Sequence, residues 1–230
     1  MKLYELVIDD GGSISPYVWR IKYALARKGI DYESVPLGFL EIPTILDGRF
    51  RTVPVFEDGA GPVVDSWAIA DHLDRAYPTR PLFSTPAERT LTQAFDHHFL
   101  SVAARAMFGL CVKDIHDRAR PKDQAYFRES REKRLGGLTL EAYAAERDGR
   151  IPALRDALAP LRLSLARSPW ICGDEPGYAD YIALGCLIWF AAVSTVAPLA
   201  ADDPVIPWFE RGLDLYGGIG RSLSLAPFAA

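Results

Sequence analysis

"GGSISPYVWRIKYALARKG", Gly11 to Gly29, joins two glycines to the signature of a helix start. Ser15 stands where an N-cap belongs and Pro16 where the first helical residue belongs; apolar residues then recur at helical spacing until Gly29 stops the pattern. On one side of this helix "KLYELVI" (Lys2 to Ile8) reads as a strand, and on the other "DYESVPL" from Asp31 reads as a second. A strand, a helix of this length and another strand make a βαβ unit, whose short connections favour parallel pairing.

Farther along, past a loop around "LEIPTILDGRF", the run "VPVFEDGAGPVVD" (Val53 to Asp65) reads as two short strands joined by Asp58-Gly59 and Gly61-Pro62. "SWAIADHLDRAYP" then sets Trp67, Ile69, Ala70, Leu73 and Tyr77 at helical spacing and ends before Pro78. The proline-rich stretch "YPTRPLFSTPAE" (Tyr77 to Glu88) marks a domain boundary, placed between residues 82 and 83. Beyond it every segment is helical in pattern: Pro86 to His116, Pro121 to Arg147, Ile151 to Arg167, Gly177 to Val196 and Pro204 to Leu215. The chain shows neither an internal repeat nor a low-complexity tract.

Its 230 residues are 49% hydrophobic and 24% charged, enough to build a core without staples. Twenty-six Lys and Arg against thirty Asp and Glu give a net charge of -4 with no basic block, which argues against nucleic acid as a partner. Cys111, Cys172 and Cys186 are an odd, widely spaced set that fits a reduced compartment better than a disulfide framework or a zinc knuckle. "MKLYELVIDD" turns acidic after one apolar run and so lacks the pattern of a signal peptide. "YIALGCLIWFAAVSTVAPLA", from Tyr181, nears membrane-spanning length, but Gly185, Ser194, Thr195 and Pro198 break it, so a buried core helix is expected. The expected location is cytoplasmic, with no membrane association.

A helix N-terminus offers unpaired N–H groups and a partial positive charge, both of which stabilise an anion such as a thiolate. A free thiol titrates near 8.5, and such a site lowers that value toward neutrality. The hydroxyls of Ser13 and Ser15 can donate to a bound sulfur, but no neighbouring His makes either a nucleophile in its own right. The plain alternative for Ser15 is an N-cap contributing about 1 kcal/mol. A second motif, "TVPVFEDGAGPVVDSWAIADHL", adds a proline at a strand start, where a cis Val53-Pro54 bond would turn the Val53 backbone toward a ligand. It also places Asp65-Ser66 at another helix start, suited to a ligand's charged end.

Ser15-Pro16-Tyr17, Val53-Pro54, Asp65-Ser66 and "GDEPGYADYIAL" together resemble the cytosolic glutathione transferase superfamily over nearly the whole chain. The resemblance implies a thioredoxin-like α/β domain of order βαβαββα (residues 1–82) that binds glutathione, and an all-α domain (83–230) that binds the second substrate. It assigns Val53, before Pro54, to the cysteinyl backbone of glutathione, Asp65 and Ser66 to its γ-glutamyl end, and Ser15 to the catalytic slot, with Ser13 as the alternative. "ISPYVWRIKYALARKGIDYESVP", "VVDSWAIADHLD", "DPVIPWFERGLDLYGGIGR" and "RESREKRLGG" are similar, within that family, to the bacterial glutathione-dependent β-aryl etherases and to the fungal etherase-like (FuA) class. This closer likeness implies a homodimer, joined through the first domain and the helix from Pro86, acting without a metal on hydrophobic aromatic compounds derived from lignin.

Two departures stand out. Gly177 replaces the Ser or Thr usual three residues before the buried Asp180, leaving the capping box incomplete, and "SLSLAPFAA" is shorter than the etherase tails, which implies a more open pocket. Tyr17 at the helix start and Phe99 and Met107 in the second domain are candidate pocket walls, core being the alternative for the latter two. Arg128 or Arg131 could lean over the cleft toward an anionic substrate, although a solvated helix face is the simpler reading. Adjacent His97 and His98 diverge by about 100° on a helix and do not form a metal clamp. Cys172 has no cation nearby to activate it. The expected chemistry is attack by a serine-stabilised glutathione thiolate on an electrophilic carbon. The competing readings are a glutathione-dependent isomerase or dehalogenase, and a non-catalytic protein that binds glutathione or hydrophobic ligands.

Overall fold

The computed structural model describes residues 1–229; Ala230, the last residue of the "SLSLAPFAA" tail, lies outside the described residues. β1 (Lys2–Leu6) leads into α1 (Pro16–Lys28), β2 (Glu33–Leu37), a single turn α2 (Ile45–Gly48), the hairpin β3 (Val55–Asp58) and β4 (Gly61–Val64), and α3 (Ser66–Ala76). The sheet order is β2-β1-β3-β4, with β1 parallel to β2 and antiparallel to β3, and β3 antiparallel to β4. Pro36, which donates no hydrogen bond, is tolerated in β2 because β2 is an edge strand. This is the thioredoxin-like arrangement, and its register has one consequence for function. β1 and β4 end, and β3 begins, at the same edge of the sheet. The N-termini of α1 and α3 and the Val53-Pro54 bond therefore share that edge.

All later elements are helical. α4 (Pro86–Phe99) runs through a π-helical segment, Leu100–Ala104, into α5 (Arg105–Arg118), and is followed by α6 (Pro121–Arg134), α7 (Leu140–Ala145), α8 (Ile151–Ala157), α9 (Ala159–Leu165), α10 (Tyr178–Val193), α11 (Val205–Leu213) and α12 (Leu215–Gly218). The helix expected from Pro121 to Arg147 is broken because Gly136 and Gly137 take φ of 72° and 89°, outside the helical region, behind α6. The helix expected from Ile151 to Arg167 is two, α8 and α9, each opened by a proline in its first turn.

α10 is buried along its whole length, which accounts for the apolar run from Tyr181. Among the described residues no helix is long and apolar enough to cross a membrane. Asp180 in its first turn accepts N–H groups from Ile171 (2.8 Å), Cys172 (3.2 Å) and Gly177 (3.1 Å) and the indole of Trp208 (3.1 Å), so it ties the preceding loop and α11 to the core. Gly177 is explained by space: a Cβ there would stand 2.6 Å from Cys172 Sγ, leaving no room for the Ser or Thr of a full capping box.

The two halves meet chiefly where α1 crosses α10. Val18, Trp19 and Tyr23 are buried there, and Tyr23 stacks on Tyr181 with ring centroids 5.5 Å apart. Arg20 pairs with Asp96 of α4 at 2.9 Å, both buried. Each large apolar side chain buried in this seam contributes on the order of 2 kcal/mol, whereas a buried ion pair barely repays its desolvation. Apolar burial thus supplies the energy and Arg20–Asp96 sets the register. The helices approach so closely that a Cβ on Gly185 would lie 2.5 Å from the Pro16 carbonyl oxygen and 3.3 Å from the Arg20 nitrogen. Gly185→Ala should therefore cost about 2 kcal/mol in urea unfolding through forced separation of backbone atoms. A loss below about 0.5 kcal/mol, the ordinary effect of a neutral substitution, would show that the crossing is not tight.

Candidate active site

The start of α1 is built by Ser15 and Pro16. Ser15 is the N-cap, extended at φ -99° and ψ 120°; its Oγ accepts the Val18 N–H at 3.3 Å and its carbonyl the Trp19 N–H at 3.0 Å. Pro16 has no N–H to leave unpaired. Among the described residues this leaves the Tyr17 N–H and the Ser15 hydroxyl proton without a protein acceptor at the positive end of a 13-residue helix. Both groups are what an anion would require.

Ser15 also forms part of the wall of a cavity of about 410 Å³ between the two halves. Leu6, Ile14 and Tyr17 line it from the first domain; Leu100, Ala104 and Phe108 line it from the α4–α5 rod, with Trp189 of α10 behind. Phe99 and Met107, expected as pocket walls, are instead buried in the core. The reason is helical phase: Phe99, Ala103 and Met107 form the core face of the rod, and the face one residue on, Leu100, Ala104 and Phe108, meets the cavity. A π-helical turn, often found at functional sites, lies at this wall. Tyr17 lines the mouth with its ring over the Arg20 guanidinium at 5.0 Å; burial raises its pKa against the pull of Arg20, so it is a neutral hydroxyl near pH 7.

Ser13 lies elsewhere. Its carbonyl accepts the Trp19 indole N–H at 2.9 Å, and its Oγ is buried with no partner and is not part of the cavity wall. The remaining candidates also stand off the cavity, along the shared sheet edge. The Val53-Pro54 bond is cis. Asp65 takes φ 81°, a strained backbone for a residue with a side chain, while its Oδ1 caps α3 by accepting the N–H groups of Trp67 (2.9 Å) and Ala68 (3.0 Å). Ser66 is buried, and its carbonyl is held by the Tyr178 hydroxyl of α10 at 3.0 Å.

The cavity's outer wall comes from α6 and from the loop after β2, which sequence reasoning did not connect. Asp123, fully buried, accepts the N–H groups of Phe39 (3.1 Å) and Leu40 (2.9 Å) and so fixes Phe39 in the wall against Phe127. Glu41 pairs with Arg120 (2.7 Å) and Lys122 (2.6 Å); the Gly38 N–H first, then Lys122, holds its carboxyl below the usual range. A carboxylate in the first turn of a helix was the one available signal, but its partners lie 83 and 84 residues away. Of the two arginines considered for the cleft, Arg128 is bound by Glu132 and Glu141, whereas Arg131 lines the cavity with Arg105 and Arg134.

His72 is bound to Asp58 (2.7 Å) and His116 to Asp117 (3.0 Å), and among the described residues no group of three or more potential ligands is placed to hold a metal. Burial, then the Asp180 carboxylate, pushes the Cys172 thiol up to about 12, far from a reactive thiolate. A larger cavity, about 590 Å³, opens beside α11 and the C-terminal residues and contains none of the groups above.

Residues 12–81 match the family model "Glutathione S-transferase, N-terminal domain", and residues 90–197 match "Glutathione S-transferase, C-terminal domain". Glutathione S-transferase 4 of Zea mays is 35% identical over 209 residues, covering 87% of this chain and 84% of the maize protein. The glutathione transferase GSTFuA3 of Phanerochaete chrysosporium superposes with a TM-score of 0.75 at 26% identity, over 94% of this chain and 91% of that one. A glutathione S-transferase of Ceriporiopsis subvermispora, solved in complex with glutathione, superposes at 0.81 with 24% identity over 97% and 98% of the two chains, a likeness of fold.

Asp123→Ala should lower stability by about 2 to 3 kcal/mol, because two backbone N–H groups lose a buried acceptor. Glu41→Gln should cost under about 1 kcal/mol, its ion pairs being partly exposed. Urea unfolding of both variants checks the ranking, and equal losses would show that Asp123 does not carry the loop.

Proposed function

We propose, from the premise that this chain belongs to the glutathione S-transferase family, that it is a transferase in which Ser15 and the first turn of α1 stabilise the glutathione thiolate for attack on an electrophilic carbon. The observation that carries this reading is that Ser15 is at once the N-cap of α1 and part of the wall of the interdomain cavity, with its hydroxyl proton free to donate. The thiol loses its proton to solvent, and the hydroxyl of Ser15, the Tyr17 N–H and the helix dipole hold the sulfur as an anion.

Residues 1–82 hold glutathione and residues 83–230 hold the electrophile. The Val53 backbone, before Pro54, takes the cysteinyl unit; Asp65, Ser66 and the start of α3 take the γ-glutamyl end. That these groups share one sheet edge with Ser15 supports the assignment. The aromatic and aliphatic walls at Tyr17, Phe108 and Trp189 suit a hydrophobic aromatic partner. The ring lies there with its reacting carbon toward Ser15, and most of the acceleration comes from placing sulfur and carbon in line.

The likeness to the FuA protein and the sequence phrases shared with the β-aryl etherases favour one reaction in particular. The sulfur attacks the carbon beside an aryl ketone, a C–S bond forms, the C–O bond breaks, and the phenolate leaves and takes a proton from water. This assigns the protein to the breakdown of lignin-derived ethers in the cytoplasm, where reduced glutathione and three unpaired cysteines are compatible. It acts as a homodimer joined through the first domain and the α4–α5 rod; Leu91, 71% exposed, and Val102, 39% exposed, stand on that rod.

Phenol release from a β-aryl ether ketone, with and without glutathione, tests the reading in the wild type, Ser15→Ala and Ser13→Ala. Release should depend on glutathione, and kcat should fall about 10²-fold or more in Ser15→Ala, as for loss of one donor to a reacting anion. Ser13→Ala should retain the wild-type rate within about threefold, its hydroxyl lying away from the reacting sulfur. Release that ignores Ser15 would remove its role, and no release with glutathione still bound would remove the etherase assignment.

A further inference from the structure

The cavity at Ser15 has a charge asymmetry that the transferase reading does not require. Arg105, Arg131 and Arg134 line it, and no acidic residue does, in a chain of net charge -4. Among the described residues none of the three meets a carboxylate. Arg131 donates from Nη1 to Ser130 Oγ at 2.8 Å, and its Nε is buried with no partner. Arg128, one turn earlier on α6, is bound by Glu132 and Glu141 and is not part of the cavity wall, so of these α6 arginines the two that line the cavity are the two that meet no carboxylate among the described residues.

The Arg131 guanidinium stacks over Phe127 at 4.4 Å and near Phe39 at 5.7 Å. Stacking holds the guanidinium in place, and with Nε buried and Nη1 on Ser130, Nη2 is the donor left for an anion such as a carboxylate. Arg134 lies three residues on, on the same helix face. Burial, then the nearby charge of Arg134, lowers the pKa of Arg131, so the two like charges stand near enough to repel. An anion placed there relieves that repulsion. Arg105 adds a third positive group from the opposite wall, immediately after the π-helical turn.

We propose that Arg131 and Arg134, with Arg105 opposite, are specificity-determining residues that select an aromatic electrophile carrying a carboxylate, its ring against the apolar wall and its anionic group on the arginines. The proposal rests on the transferase reading for the reaction, but the binding it asserts can be measured without turnover. The ring and the carboxylate enter together: the aromatic walls bury the apolar part, and the arginines hold the charged end away from the attacking sulfur, where a second anion would be repelled.

The test compares 4-chloro-3-nitrobenzoate with its methyl ester, which differ in the charge. Rates of glutathione conjugation are corrected for the uncatalysed reaction. Affinities are read by calorimetry in protein mixed with S-methylglutathione, which has no free thiol. The wild type should bind the acid more tightly than the ester. Arg131→Gln and Arg134→Gln should each raise Kd and KM for the acid by about tenfold, the worth of one charge-assisted hydrogen bond. The ester and glutathione should stay within about twofold, a change too small for a lost hydrogen bond. Arg131→Lys should recover part of the loss, since it keeps the charge without the fork. Equal losses for acid and ester would assign the arginines a structural role and overturn the proposal. A rise confined to the KM for glutathione would overturn it too, by giving them to the peptide's own carboxylate. If neither compound is turned over, the transferase reading fails for these electrophiles, and the calorimetric preference for the acid, present or absent, still decides the proposal.

Discussion

The close crossing of α1 over α10 is the constraint on which the rest of the structure depends. Gly185 allows the Pro16 carbonyl and the backbone of Arg20 to approach a helix that is buried on every side. Because α10 cannot shift without disturbing the core of the second domain, the N-terminus of α1 is placed relative to that whole domain. Ser15, the first residue of that terminus, inherits the placement. A hydroxyl on a loop would have to be held by contacts of its own; that of Ser15 is held by the seam between two halves, stabilised by apolar burial and registered by the Arg20–Asp96 pair.

The same logic explains how one small sheet brings several helix starts and polar groups to one edge. The antiparallel turn into β3 and the return along β4 bring two helix starts and an X-Pro bond to the edge where β1 ends. Neither end is left to float. Tyr178 of α10 holds the carbonyl of Ser66, and Asp123 of α6 holds the loop that contributes Phe39. The second domain therefore does more than supply a wall for the cavity: its helices clamp three separate segments of the first, and it adds a cationic flank where the first domain has none.

Much of this was legible in the chain, and what was not has a common physical cause. The Ser15-Pro16 start of α1, the hairpin after Pro54 and the capping Asp65 are local signals, written within a few residues of the groups that they organise, and each falls where the sequence placed it. The parallel pairing of β1 with β2 followed from their short connections and the β3–β4 hairpin from its turn residues, whereas the pairing of β1 with β3 joins strands about fifty residues apart and has no local signal. The helical phase of the α4–α5 rod did not: Phe99 and Met107 differ from Leu100 and Phe108 by one residue, and only the packing of α10 and α1 decides which face is core. Long helices that the pattern suggested were cut at Gly136-Gly137 and at Leu158, where apolar periodicity continues but the backbone does not. The tie from Asp123 to Phe39 and the unpaired state of Arg131 were illegible for the opposite reason, since each depends on a partner, or on the lack of one, set by tertiary contacts.

The central claim is that the first turn of α1, held by α10 and completed by Ser15, stabilises a thiolate. It is tested most directly by titrating the thiol of glutathione bound to the wild-type protein, following the ultraviolet absorbance of the thiolate across pH. The account predicts an apparent pKa at least about one unit below the value of about 8.5 for a free thiol, so that the sulfur is largely ionised near neutrality. Bound glutathione that titrates at its free value would contradict it.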